Sequence, residues 1–445
     1  MIAPKIKEKI KKINIKLIVG IYIIVFTISP FVQQATSKFP TTYFYMAVVV
    51  VTVIYIFVTC RLRYIREFIL MLAPFVLFQS LEMATSHATN VLLLGYQVLL
   101  FMLPVCLGFY IMKNSDMHKQ GDIKVFSVVI VITFLVTAIT TIIGCINNPN
   151  AARILATTAT SQDSTAVSFN WQNIGGFTFV YSCTLLYPLV VLGFKQKKIP
   201  LVFVIVFTVL EFALAINTEY TISLMLIMFS SLMFLLPRDL SPKKFIIISI
   251  VAIVLIVVFS SIIAVFMDYV GQLIGKEMMG EKMMAVFSGK EAMDSMEDRR
   301  MDRYSLSLET FLNNPMLGCF LSGKIDGKLG GHSFILDVLG KYGLLGAAIL
   351  FFSYRSIYKT FYKPFKERMG FGFVIWLFAQ PIILSFLNTG MWLDNLCLFS
   401  PILLIMIFGV ETKDESALDS KYSAGTNQLK DLSKAGQRAL DERTS

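Results

Sequence analysis

The chain has 445 residues, of which 56 % are hydrophobic and 16 % charged, with a mean hydropathy of +0.70 and a formal net charge of +11. A soluble domain carries about 25 % charged residues, and here the apolar residues fall in long runs, which excludes an ordinary soluble enzyme. The positive charge does not mark a nucleic-acid binder, because the basic residues sit in short loops between those runs, where membrane topology alone puts them.

Twelve predicted spans follow in chain order, at 17–33, 43–60, 67–81, 91–112, 123–146, 174–194, 200–217, 219–236, 245–268, 332–354, 371–388 and 391–410. Each run suits the ~20 residues needed to cross the hydrocarbon core. The third is short and holds Pro74. The Lys-rich N-terminus runs straight into the first span with no small-residue cleavage site, so it reads as an anchor and not a removed signal. Every second short loop is basic: Arg61, Arg63 and Arg66; Lys113, Lys119 and Lys124; Lys195, Lys197 and Lys198; Arg238, Lys243 and Lys244; Arg355 through Arg368. The opposite short loops hold only Lys38 and Arg153. That asymmetry places both termini in the cytoplasm.

The expected architecture is an all-α integral membrane protein of about twelve helices, N-in and C-in. Residues 1–268 form helices one to nine, 269–331 a large extracytoplasmic loop, 332–410 helices ten to twelve, and 411–445 a polar cytoplasmic tail with the composition of a disordered segment. The six cysteines form no CxxC pair, so neither a disulfide framework nor a zinc site is expected.

Ionisable groups gather around the large loop. GGHSFILDVLGKYGLLG, Gly330 to Gly346, opens span ten with one of only three histidines. Ser333, Asp337 and Lys341 follow at four-residue spacing and would share a helical stripe in the outer half of that span. An Asp337–Lys341 ion pair is one reading of the stripe; a polar cavity open to the outside is the other. Gly340, Gly343 and Gly346 read as close helix packing.

Upstream, RMDRYSLSLETFLNNPMLG runs from Arg300 to Gly318, with a helix expected from Arg300 to Leu312 and stopped by Asn313-Asn314-Pro315. Arg299, Arg300 and Arg303 would share one region of that helix. They pair with nearby Asp and Glu on one reading and bind phosphate on the other, since guanidinium favours bidentate phosphate contacts. A histidine beside them can take a proton from a hydroxyl. Together these groups suit a lipid-linked phosphate substrate at the outer leaflet.

These two stretches resemble the O-antigen polymerase and ligase superfamily of multi-span bacterial glycosyltransferases. The family pattern is an Arg, an aromatic, an F..NP..G turn, and then H[NS] opening a helix that ends in GLLG. Arg300 matches the family Arg by its distance from Tyr304, and His332 matches the family His. SFNWQNIGGFTFVYS, Ser168 to Ser182, resembles the family's Asn-containing stretch, with Asn170 and Asn173 as candidate sugar-binding residues beside the plainer reading of a loop opening a helix. The segment NTEYTIS, Asn217 to Ser223, lacks the Ser-Arg that many relatives carry there; Arg153 is the one Arg in the 147–173 loop that could replace it.

The resemblance implies a GT-C-like polysaccharide polymerase of the bacterial inner membrane, free of metal and cofactor. Its substrate would be an undecaprenyl-diphosphate-linked oligosaccharide reached from the lipid bilayer, with a chain-length regulator as partner. Arg300, Arg299, Arg303 and Arg153 would bind the diphosphate, His332 and Asp337 would serve the chemistry, and Ser333, Lys341, Asn170 and Asn173 would touch substrate. An O-antigen ligase using another acceptor, and a lipid-linked oligosaccharide flippase, are the alternatives.

Overall fold

The computed structural model describes residues 15–36, 62–85, 91–114, 121–157, 164–234, 298–320 and 328–409, with isolated positions in 47–54 and 243–269. The predicted spans 43–60 and 245–268, and the tail from 411, therefore lie largely or wholly outside the described residues.

Among the described residues every regular element is helical. In chain order they are α1 (Ile15–Ile28), α2 (Pro30–Thr36), α3 (Leu62–Thr85), α4 (Val91–Lys113), α5 (Asp122–Asn147), α6 (Ala151–Thr157), α7 (Ser164–Trp171), α8 (Phe177–Lys195), α9 (Leu201–Thr218), α10 (Thr221–Leu232), α11 (Asp298–Asn313), α12 (Phe334–Ile357) and α13 (Phe371–Leu387). A π-helical turn over Asp394–Phe399 then leads into α14 (Ser400–Phe408). Five stretches are long and apolar enough to cross a bilayer: Tyr64–Met83, Asp122–Asn147, Phe177–Lys195, Leu201–Thr218 and Phe334–Met369. The α1–α2 pair makes a sixth if its 109° bend is one broken span.

The third predicted span is longer than its hydropathy suggests, because α3 runs for 24 residues through Pro74. Proline costs a helix one backbone hydrogen bond; the helix continues because Phe68, Met71, Phe75 and Phe78 bury one face on either side of it.

The surface inverts the usual order. On α5, Ile132, Val136, Ile139, Ile143 and Ile146 form an exposed apolar stripe at alternating four- and three-residue steps, while Ser127, Thr137 and Thr141 are buried. On α9, Val202, Ile205, Val206 and Val209 are exposed. A contiguous apolar exterior of this extent is what hydrocarbon covers, with hydroxyls turned inward to join helices.

Polar contacts join helix ends. Lys113 pairs with Glu67 at 2.8 Å, and Arg368 Nη1 donates to the Phe408 and Gly409 carbonyls at 2.8 and 3.2 Å, closing the end of α14. Arg153 pairs with Glu219 at 2.6 Å and Lys341 with Glu82 at 2.7 Å.

Candidate functional site

The site begins with a backbone joint. α12 is broken at Gly343, whose φ of 60° and ψ of −148° no helix contains. A break frees N–H groups after it and carbonyls before it, and buried ones need partners. The 315–319 turn supplies them. Leu344 N donates to Pro315 O at 2.8 Å, Leu345 N to Met316 O at 3.3 Å, and Cys319 N to Gly340 O at 3.0 Å. The approach is close enough to exclude side chains. A Cβ on Gly318 would lie 2.4 Å from the Lys341 carbonyl, and one on Gly343 would lie 2.6 Å from Pro315 O. Gly318 also has φ +65°, which L side chains rarely adopt. The small-residue packing expected of Gly340 and Gly343 is therefore packing against the 315–319 turn and Ser307, not against a second long span.

That joint lays α11 along the start of α12. The helix stops at Asn313 as the Asn-Asn-Pro stretch requires and begins two residues before Arg300. Ser307 Oγ donates to Asp337 Oδ1 at 2.7 Å and accepts from Gly330 N at 2.8 Å. Gly331 N adds a 3.2 Å bond to the same Asp337 oxygen. Thr310 Oγ1 holds the Lys328 carbonyl at 2.6 Å, and Tyr304 OH the Leu387 carbonyl at 3.1 Å. With the 328–331 strand of chain so fixed, His332 is presented to α11. Arg303 Nη1 meets His332 Nε2 at 2.5 Å. A guanidinium only donates, so Nε2 accepts and the ring proton of the neutral imidazole sits on Nδ1.

The sequence-predicted residues separate on this frame. Arg303 and His332 meet. Arg299 and Arg300 occupy the first turn of α11, and their side chains lie outside the described residues. Asp337 does not pair with Lys341: its quoted bonds go to Ser307 and Gly331, while Lys341 reaches Glu82 across 259 residues of sequence. The shared stripe fails at its first member, because Ser333 is not helical. It is the N-cap of α12, 1 % exposed, and its Oγ accepts from Leu336 N at 3.1 Å. Phe334–Met369 is a candidate span of 36 residues, interrupted at Gly343.

Arg153 and Asn173 are engaged elsewhere. Glu219, itself at φ +57°, holds the Arg153 guanidinium, which argues against Arg153 standing in as a diphosphate ligand. Asn173, at φ +58°, is a staple: its Oδ1 accepts from Ser29 Oγ at 2.7 Å and Phe31 N at 3.2 Å, and its Nδ2 donates to Thr137 and Thr140. The Asn173 side chain thereby ties the α1–α2 bend to α5. Asn170 makes one long bond, 3.4 Å, to Gln34.

Asn170 lines a feature that the spacing of motifs did not indicate, a cavity of about 390 Å³ between the α1–α2 bend, α5, α7, α8 and the Asp394 turn. Asp394 was passed over because MWLDNL reads as an ordinary span boundary. The loop from Asn388 to Asp394 links the cavity to the Arg303–His332 pair: Phe334 N donates to Asn388 O at 2.9 Å, and Trp392 packs edge-on against Tyr181 of α8.

Apolar stripes facing outward over spans of bilayer length define the class: this is an α-helical membrane protein. Comparison with family models, with curated proteins and with solved structures finds no match.

Proposed function

We propose that this chain is a polysaccharide polymerase of the bacterial inner membrane, N-in and C-in, working on undecaprenyl-diphosphate-linked oligosaccharides at the outer face. The observation that carries the reading is the contact between Arg303 and His332 at the mouth of α12, one phosphate-binding group touching one proton acceptor. The resemblance of the two motif stretches supports the same reading, and their docking through Gly318 and Gly343 gives those motifs a common structural purpose.

In the proposed reaction the acceptor sugar hydroxyl attacks the anomeric carbon of the growing glycan. The new C–O bond forms as the bond to diphosphate breaks, and undecaprenyl diphosphate leaves with the electron pair. The hydroxyl proton passes to His332 Nε2. That nitrogen is occupied by Arg303 in this structure. A diphosphate that draws the guanidinium away would uncover the base as it binds, so donor binding and base availability are linked. Arg299 and Arg300, four and three residues before Arg303 and so about one turn away on the same helix, are the further diphosphate ligands of this proposal. Asp337 is a positioning residue: it fixes the Gly331 amide beside His332. Lys341, neutralised by Glu82, has no assigned contact with substrate.

The test is a ladder assay on purified protein given lipid-linked repeat units on a short polyprenyl diphosphate. A ladder from the native protein that is lost in His332→Ala and Arg303→Ala, with unfolding temperatures unchanged, is the expected result. No ladder, with the same lipid carried across a liposome bilayer, would overturn the polymerase in favour of a transporter.

A further inference from the structure

The cavity beside Asp394 differs in chemistry from the Arg303–His332 pair. Its polar lining includes Gln33, Asn170, Thr178, Ser182 and Asp394, with no Lys or Arg among the described residues that form it. The apolar part is aromatic, and the rings are fixed: Phe134 stacks on Phe179 with centroids 5.6 Å apart and meets Phe399 edge-on, also at 5.6 Å. Amides, hydroxyls and one carboxylate set against rigid ring faces match a sugar, which has hydroxyls around its edge and C–H groups on its faces. About 390 Å³ lies within the ~300–1,000 Å³ of small-ligand pockets.

The loop that brings Asp394 to the cavity is itself unusual, although its unmet groups do not line the cavity. The loop that delivers Asp394 carries unmet hydrogen-bonding capacity. Asn388 Nδ2, Trp392 Nε1 and Asn395 Oδ1 are buried without a hydrogen-bond partner among the described residues, and Trp392 has φ +56°, an outlier for a bulky side chain. Strain of this kind persists where surrounding structure holds a segment in place for a purpose. Among the described residues the Asp394 carboxylate makes no hydrogen bond or ion pair; Ser182 Oγ beside it is already bonded by Asn395 Nδ2 at 2.8 Å.

We infer that this cavity binds one uncharged sugar of the substrate and rejects acidic sugars, with the Asp394 carboxylate accepting hydrogen bonds from sugar hydroxyls. An ionised uronate would set a second carboxylate against Asp394 with no cation among the described lining residues to offset it, and like charges at short range in a poorly solvated site repel strongly. The inference rests on the proposed glycan substrate for its biological sense, but the binding preference can be measured without any transfer reaction.

The experiment uses the full-length chain in lipid nanodiscs, where no detergent headgroup brings its own sugar. Methyl glucoside, methyl galactoside, N-acetylglucosamine, glucuronate and galacturonate are titrated as free probes by calorimetry and by saturation-transfer NMR. At least one neutral sugar should bind saturably and at least tenfold more tightly than either uronate. Asp394→Asn, which keeps the shape of the side chain, should shrink that gap, and Ser182→Phe should abolish sugar binding. Saturable binding of uronates as tight as that of the neutral sugars, an unchanged preference in Asp394→Asn, or no binding of any probe by the native protein would each overturn the inference. A polymer ladder with no such preference removes the cavity's role and leaves the polymerase standing. Selective sugar binding without a ladder does the reverse.

Discussion

Ser307 on α11 and Asp337 on α12 share a 2.7 Å hydrogen bond, and the same hydroxyl takes the Gly330 amide proton at 2.8 Å. One oxygen thus fixes two helices and the chain segment that ends in His332. Ser307→Ala removes an acceptor from a part-buried amide and a donor from a carboxylate, a change that costs about 1 kcal/mol. Unfolding in detergent should move to lower temperature, in keeping with a loss of stability of that size, and Ser307→Thr should recover part of it.

The glycines of the joint should not behave alike. Gly343→Ala meets strain at φ +60° and a Cβ 2.6 Å from the Met316–Pro315 backbone, whereas Gly331, at φ +68°, faces open space. The αL conformation alone costs an L-residue ~1–2 kcal/mol. Gly331→Ala is expected to lower stability by about that much, and Gly343→Ala by clearly more, with loss of yield; parallel thermal unfolding of the two variants checks the order.

If the polymerase reading holds, Arg303→Lys is not conservative. Lysine keeps the charge but loses the planar fork that binds phosphate oxygens in pairs. Polymer formation should fall at least ~10-fold, equivalent to about 1.4 kcal/mol of transition-state binding, and His332→Ala should fall by ~10²–10⁴, the usual contribution of a general base. Initial rates on the ladder assay read both.

Burial pushes the Cys319 thiol above its ordinary value, with Lys328 and Lys341 opposing it weakly. A raised pKa keeps the thiol protonated through neutral pH, and the thiolate is the reactive form. Iodoacetamide should leave Cys319 unmodified at pH 7 in the folded protein, modify it slowly as pH rises well above that, and modify it at once after denaturation. Peptide mass spectrometry gives the site; rapid alkylation at pH 7 without unfolding would contradict the buried joint.

The elements were legible where local rules decide them. Asn313-Asn314-Pro315 ends α11, and Ser333 before Phe334 is an N-cap signal as much as the start of a stripe. Counting four-residue steps from Ser333 treated a cap as a helical position; Asp337 and Lys341 keep their i, i+4 spacing, but their bonds go to α11 and to α3 and not to each other. Those partners could not be read from spacing. Glu82 lies 259 residues from Lys341, and Ser29 lies 144 from Asn173. Asp394 was missed for the same reason: the cavity it lines is assembled from the first, middle and last parts of the described chain, and no window of sequence contains it.

The meeting of the 315–319 turn with Gly340–Leu345 is made by main-chain atoms, and the side chains it excludes are those at glycine. Such a joint is blind to the chemistry of the residues around it. It fixes where an arginine-bearing helix and a histidine lie, and asks nothing of the side chains lining the cavity beyond the Asn388 loop. On the proposed reading, selectivity for a new sugar is acquired by changing Asn170, Thr178 or Asp394 without rebuilding the Arg303–His332 joint.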